Sequence, residues 1–327
     1  MENVVIIGGG PAGLAAALYT ARAGLSPLVF GGSPPGGQLT LTTEVENYLG
    51  FESIFGAELI EKFRNHAKKF GARIVDENVV KVDFSKRPFE IYINESFDAA
   101  FLDRLTLKGP RRLSKNGHLQ LLSRSIIIAT GAKAVWLGLE SEKRLRGKGV
   151  SACATCDGFF FKNKKVAVVG GGDMALEEAL TLTRFVEKVY IIHRRDQFKA
   201  SKIMQKKVFE NKKIEIIWNG AVEEILGEKK VEGVKLKILN FKFKILPIEG
   251  VFVAIGHRPE TELFNGQVKT DESGYILVNQ FMTSVPGVFA AGDCVDRLYQ
   301  QASYAMGMGV GAALEVERWL ASQNTTS

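Results

Sequence analysis

Cys153 and Cys156 stand in the run Ser151-Ala152-Cys153-Ala154-Thr155-Cys156-Asp157-Gly158, and a CxxC pair of this kind has three chemical uses. Reversible dithiol chemistry needs two sulfurs close enough to bridge and a thiolate of lowered pKa. Asp157, next in the chain, can give a proton to a departing thiolate, although an aspartate there also suits the cap of a helix or turn. Structural zinc needs four ligands as a rule, and the other soft donors, His66, His118, His193, His257 and Cys294, are isolated from one another. Inert packing is the third use, and it suits Cys294, which has no cysteine near it. With only 3 cysteines in 327 residues there is no disulfide scaffold, so a close pair is better read as catalytic.

Two glycine-rich turns add a second chemistry. Val4-Val5-Ile6-Ile7 leads into Gly8-Gly9-Gly10-Pro11-Ala12-Gly13 and an alanine-rich stretch to Ala23. Lys165-Val166-Ala167-Val168-Val169 leads in the same way into Gly170-Gly171-Gly172-Asp173-Met174-Ala175 and a stretch to Phe185. Each is a strand, a glycine turn and a helix, the context in which GxGxxG carries a mechanism. Glycines let backbone approach a pyrophosphate, and the helix N-terminus offers it free N–H donors. A carboxylate for a ribose 2′-hydroxyl normally follows about 20 residues on. After the second turn the next strand ends instead in His193-Arg194-Arg195, and two guanidinium groups favour a 2′-phosphate, hence NADPH over NADH. After the first turn Val29-Phe30-Gly31 holds no acid either, and the loop alone does not name its nucleotide. Gly287-Val288-Phe289-Ala290-Ala291-Gly292-Asp293 ends a strand in a carboxylate that can accept bonds from a polyol. The small-residue helix predicted from Ala302 to Leu320 suits either a close-packed core or a helix N-terminus favouring negative charge.

These motifs need elements to hold them, and the chain has the material. Its hydrophobic content is 46%, and 34 glycines against 9 prolines show no collagen-like period. The repeated β–glycine–α–β grammar predicts an α/β fold with two Rossmann-like dinucleotide-binding domains. Ile126-Ile127-Ile128-Ala129-Thr130-Gly131 and Gly250-Val251-Phe252-Val253-Ala254-Ile255-Gly256 read as the two crossings. They place residues 133–252 as a domain inserted into a discontinuous one made of 1–132 and 253–327. Residues 94–125, mixed in charge, predict an irregular hairpin or exposed loop. The net charge of +7 is spread over the chain, with clusters at 108–115 and 199–213 and no nucleic-acid motif, so a solvated surface is expected and no nucleic-acid partner. The N-terminal segment lacks a basic stretch and no apolar run is long enough to span a bilayer, which predicts a cytoplasmic protein without a membrane partner.

With these segments in this order the chain resembles the bacterial-type, low-molecular-weight thioredoxin reductases of the pyridine nucleotide-disulfide oxidoreductase family, over nearly its whole length. Gly36-Gly37-Gln38-Leu39-Thr40, Thr43-Glu44-Val45-Glu46-Asn47, Gly256-His257 and the Gly287 to Asp293 run all match that pattern. The resemblance implies FAD in the discontinuous domain, held by Gly8, Gly9, Gly10, Pro11, Ala12, Gly13, Gly37, Gln38, Leu39, Asn47, Val79, Gly292, Asp293, Gln300, Gln301 and Ala302. It implies NADPH in the inserted domain, held by Gly170, Gly172, Asp173, Met174, Ala175, Glu177, His193, Arg194 and Arg195. It further implies that Cys156 faces the flavin, that Cys153 attacks the disulfide of thioredoxin or a thioredoxin-like protein, and that Asp157 is acid and base. Domain rotation between half-reactions, with hinges near Thr130 and Gly256, and a homodimer are implied in the same way. Three positions depart from the family: Gln300 replaces an arginine, Met174 a small polar residue and Lys199 an arginine beside the 2′-phosphate. The 94–125 segment is also longer than the family pattern requires.

Overall fold

Val4, Val5 and Ile6 have no exposed surface, because the strand they belong to, β1 (Glu2–Ile7), lies inside a sheet covered on both faces. This computed structural model describes residues 1–32, 35–41, 44–93, 112–113, 118–238 and 242–325. After β1 come α1 (Pro11–Arg22), β2 (Leu28–Phe30), α2 (Gly56–Lys69) and β3 (Arg73–Val75), and β3, β2 and β1 pair in parallel. The antiparallel pair β4 (Val79–Asp83) and β5 (Phe89–Ile93) follows, then the long strand β6 (Leu119–Ile128). The second half of β6 runs parallel to β1, with Ile7 opposite Ile128, while its first half pairs antiparallel with β5.

For residues 119–125 the structure replaces an exposed loop with regular strand, antiparallel to β5 as the hairpin alternative has it. Leu119 and Leu121 alternate with half-buried residues and enter the core, and Ser123 and Ser125 are buried with their hydroxyls donating to the carbonyls of Ser125 and Asn3. Of the rest of that segment, Arg112–Leu113 also pairs with β6, and 94–111 and 114–117 lie outside the described residues.

Past β7 (Ala132–Ala134), the chain builds a second compact unit from Ala134 to His257. Its elements are β8 (Val150–Ser151), α3 (Ala154–Asp157), β9 (Lys165–Val169), α4 (Asp173–Leu182), β10 (Lys188–Ile192), α5 (Lys202–Glu210) and β11 (Ile214–Ile217). An antiparallel set of three strands, β12 (Gly220–Leu226), β13 (Gly233–Ile238) and β14 (Lys242–Leu246), precedes β15 (Gly250–Val253). β15 inserts between β8 and β9, giving the all-parallel order β8-β15-β9-β10-β11. Leu176, Ala179 and Leu182 of α4 close one face of this sheet over Val166, Val168 and Phe252.

The chain returns through β16 (His257–Pro259), which pairs with β7, so the two crossings lie side by side. Met1–Lys133 and Arg258–Ser327 together form the first unit. Its last elements are β17 (Val288–Ala290), parallel to β6, and α6 (Ala302–Thr325), packed along α1. That packing needs glycine: a Cβ on Gly309 would stand 2.1 Å from the Ala12 carbonyl oxygen. Among the described residues no helix is long and apolar enough to cross a membrane.

Candidate active site

Cys153 and Cys156 form a disulfide across the single turn of α3, with Cα atoms 5.3 Å apart. Cys153 caps that turn: the Cys156 N–H donates to its Sγ at 3.2 Å and the Asp157 N–H to its carbonyl at 3.1 Å. Ser151, at the end of β8, accepts the Cys153 N–H at 3.0 Å. Both cysteines are half-buried. Burial pushes the Asp157 carboxyl above the usual carboxylate range, against a hydrogen bond from Ser151 that acts the other way. The turn rests on α4, where Glu178 accepts the Ala154 N–H at 3.3 Å. No group of three or more His, Cys, Asp or Glu residues suited to a metal occurs among the described residues, and Cys294, fully buried, has its thiol pushed up to about 11 by burial.

The second glycine turn is built on the same helix. Gly170 must be glycine, since its φ is +157° and a Cβ there would meet the Ala254 carbonyl oxygen at 2.3 Å. Gly172 is the opposite case: it caps α4 without a side-chain bond, and a Cβ on it would enter open space. Gly171 lies on the His193 ring, where a Cβ would stand 2.2 Å from Nδ1, and His193 is itself wedged against Phe198 and Trp218. Burial, aided by Arg194 and Arg195, lowers the His193 pKa, so the ring is a neutral prop under the turn. Arg194 and Arg195 are exposed, and among the described residues neither guanidinium has an ion-pair partner. Asp173 turns its carboxylate to the Ser201 N–H at 2.8 Å; Met174 is half-buried and Glu177 exposed. Lys199 is exposed, and its N–H donates to the Gly171 carbonyl.

In the first unit several distant segments converge on the start of α1. Gly10 caps this helix with no side-chain bond and no acid in the first turn. A Cβ on Gly37 would lie 3.8 Å from the Gly10 Cα, and one on Gly292 2.8 Å from the Ala12 Cβ. Gly8 and Gly13 are held against the Ala129 carbonyl and against each other. Asn47 donates to the Gln301 side chain at 3.3 Å, and Leu39 shares a cluster with Ala302. Beside Gly292, the Asp293 Oδ1 is buried without a hydrogen-bond partner, and its carboxyl is pushed up to about 6, first by burial and then by Asp296. An orphaned acceptor, an uncapped helix end and Gly10, where a Cβ would meet nothing within 4 Å, fit a group carrying hydroxyls and a pyrophosphate.

Two candidates stand apart. Val79 packs partly buried against the sheet core, and the Gln300 side chain donates to the Tyr275 hydroxyl at 3.3 Å, with its N–H held by Asp296. The motifs did not reveal Glu178 or the pair Arg64–Asp76. Arg64 is buried and binds both oxygens of Asp76, at 2.8 and 2.9 Å, beside Gly31 at the end of β2. Their signal was weak but present: each is a charge on the apolar face of a helix, with Ala175, Ala179 and Leu182 around Glu178 and Ile60 and Ala67 around Arg64.

Residues 2–309 match the family model described as pyridine nucleotide-disulphide oxidoreductase. The chain belongs to that family. Among its members, thioredoxin reductase of Rickettsia conorii is 50% identical over 327 residues, covering 97% of this chain and 98% of the relative. A solved thioredoxin reductase from Giardia duodenalis is 44% identical with a TM-score of 0.87, covering 98% of each chain. The one from Streptococcus pyogenes is 36% identical with a TM-score of 0.85, covering 98% of this chain and 99% of that one.

Proposed function

We propose that this oxidoreductase uses NADPH and FAD to reduce the disulfide of thioredoxin through Cys153 and Cys156. The observation that carries the reading is the Cys153–Cys156 disulfide on α3, packed on the same helix α4 that follows the second glycine turn, where Gly171 lies on His193 of the His193-Arg194-Arg195 run. The first unit would hold FAD, with Gly10, Pro11, Ala12 and Gly13 at the pyrophosphate, Asp293 accepting from the ribityl chain, and Gly37, Gln38, Asn47, Gln301 and Ala302 around it. The second would hold NADPH, with Gly172, Met174 and Ala175 at the pyrophosphate and Arg194 and Arg195 at the 2′-phosphate. FAD, when bound, supplies a two-electron relay between nicotinamide and disulfide.

The chain's own chemistry then concerns sulfur. As a dithiol, Cys153 attacks the thioredoxin disulfide as thiolate; one S–S bond forms to Cys153 while the thioredoxin bond breaks, and the departing sulfur takes a proton. Cys156 next attacks the Cys153 sulfur, releasing reduced thioredoxin and restoring the Cys153–Cys156 bond. Asp157, whose burial keeps it protonated to higher pH than an exposed carboxylate, gives and recovers the proton. The paired crossings β7 and β16 are the pivot about which the second unit turns between its two tasks. The acting form is a cytoplasmic homodimer. A steady-state assay of the FAD-loaded protein with NADPH, NADH and a panel of oxidised thioredoxins tests the reading. Turnover with NADPH and at least one thioredoxin is expected; flavin bleaching without transfer to any of them would identify a redox sensor instead.

A further inference from the structure

The helix that opens the second glycine turn presents two adjacent glutamates to different surroundings. Glu177 is exposed. Glu178 points under α3: its Oε1 accepts the Ala154 N–H, and its Oε2 is buried with no hydrogen-bond partner. A buried carboxylate oxygen without a donor is costly, whereas a protonated one carries no charge to strand. Among the described residues the charged groups acting on it are acidic, Asp157 from α3 and Glu177 from its own helix. Burial is the larger cause, and together they push the Glu178 carboxyl up to about 8.

We propose that Glu178 is a positioning residue of the disulfide site, holding the first turn of α3 through the Ala154 N–H and staying a neutral acid while Asp157 gives and recovers its proton. This deepens the thioredoxin reductase reading and rests on Cys153–Cys156 being the exit for electrons. Two carboxyls in a poorly solvated place do not both ionise readily, so Glu178 keeps its own proton through the neutral range when Asp157 has given its proton up. Asp157 can then release and recover a proton without leaving two negative charges beside the sulfurs. Above the Glu178 pKa both acids are ionised, and the second charge disfavours the Cys153 thiolate that attacks thioredoxin.

The test separates the carboxyl from the thiols by using the oxidised protein, in which neither disulfide-bonded cysteine titrates. The infrared C=O stretch of a neutral carboxyl is followed against pH in the wild type, in Glu178→Gln and in Asp157→Asn. The expected wild-type band persists at pH 7 and disappears near pH 8; Glu178→Gln lacks it, and Asp157→Asn loses it at lower pH because the repelling neighbour is gone. A pH profile of thioredoxin kcat/KM is expected to fall in the wild type through the same range, and this limb is expected to be absent in Glu178→Gln. A band retained in Glu178→Gln, or unmoved in Asp157→Asn, overturns the proposal. Should Glu178→Gln not fold, the wild type and Asp157→Asn decide it alone. A wild type that shows the band but reduces no thioredoxin leaves the neutral Glu178 carboxyl standing and removes the function instead.

Discussion

Asp293, proposed above to accept bonds from FAD, is held at the expense of the fold. Its carboxyl is pushed from 3.8 to about 6, so the folded state binds a proton more tightly than the unfolded chain does. The stability this gives is present below the unfolded pKa and is lost as pH rises through the folded one. Roughly two units correspond to about 3 kcal/mol. Asp293→Asn is therefore expected to make the FAD-free protein up to about 3 kcal/mol more stable at pH 7 and equal to wild type near pH 3.5, in denaturant titrations at both pH values. Flavin retention on gel filtration should fall in the same variant, since an amide accepts ribityl hydroxyls less strongly than a carboxylate. At the sulfur site, Cys156→Ser removes the thiol proposed to resolve the mixed disulfide but no part of either glycine turn. Flavin bleaching by NADPH should survive while thioredoxin turnover drops to background, and stopped-flow absorbance with a steady-state assay reads both. Arg194 and Arg195 carry no ion pair among the described residues, so replacing both with alanine breaks no salt bridge there. A loss of roughly 100-fold or more in kcat/KM for NADPH is expected, with little change for NADH, because each charge-assisted contact to phosphate contributes about 1.5–3 kcal/mol and two are removed.

At the scale of elements, the glycines divide into those the fold needs and those a ligand needs. Gly309 and Gly170 have backbone at 2.1 and 2.3 Å from where a Cβ would go, whereas Gly172 has nothing within 4 Å and a φ of −94° that any residue can adopt. Gly309→Ala should lower the melting temperature, by about 1–3 kcal/mol of overpacking, as it forces α6 from α1. Gly172→Ala should melt like wild type yet raise the KM for NADPH, since its methyl group occupies the space left for pyrophosphate. Thermal melts beside kinetics distinguish the two. The same contrast explains what the sequence made legible. Val4 to Ile7 and Val166 to Val169 are continuous apolar runs that end in glycine, and each local signal agrees with the sheet it joins. β6 was harder, because Leu119, Leu121, Ser123 and Ser125 are buried by pairing with β5 and β1, which no local pattern announces. The antiparallel strands β12 to β14 carry an alternation of their own, in β13 Val234, Leu236 and Ile238 against Lys235 and Lys237, but no glycine turn marks them; Val234 and Leu236 are the buried side of it. Glu178 and Arg64 were missed because charge on a helix usually means solvent, and only the packed helix shows which side it is on.

For the whole molecule, the consequence is two separate cores in one chain, each with its own glycine turn. Val5, Ile7, Phe30, Ile126 and Ile128 belong to the first unit's core, and Val166, Val168, Leu176, Ile191 and Phe252 to the second's. A ligand that binds only the folded state of one unit adds RT ln(1 + [L]/Kd) to that unit, about 2.7 kcal/mol at a hundred times Kd. Local opening of that unit is suppressed accordingly, and amide hydrogen exchange reads it region by region. With the cofactors assigned as proposed, adding FAD to flavin-free protein should slow exchange in 1–133 and 258–327, most of all at the first turn of α1 and around Gly292. Adding NADP⁺ to FAD-loaded protein should slow it in 134–257, most of all at the start of α4 and at 193–195. The direction of this experiment is independent of turnover, since NADP⁺ delivers no electrons. Protection by NADP⁺ centred on the first unit, or by FAD on the second, would reverse the assignment of the two turns, and with it the argument that Arg194 and Arg195 select a 2′-phosphate.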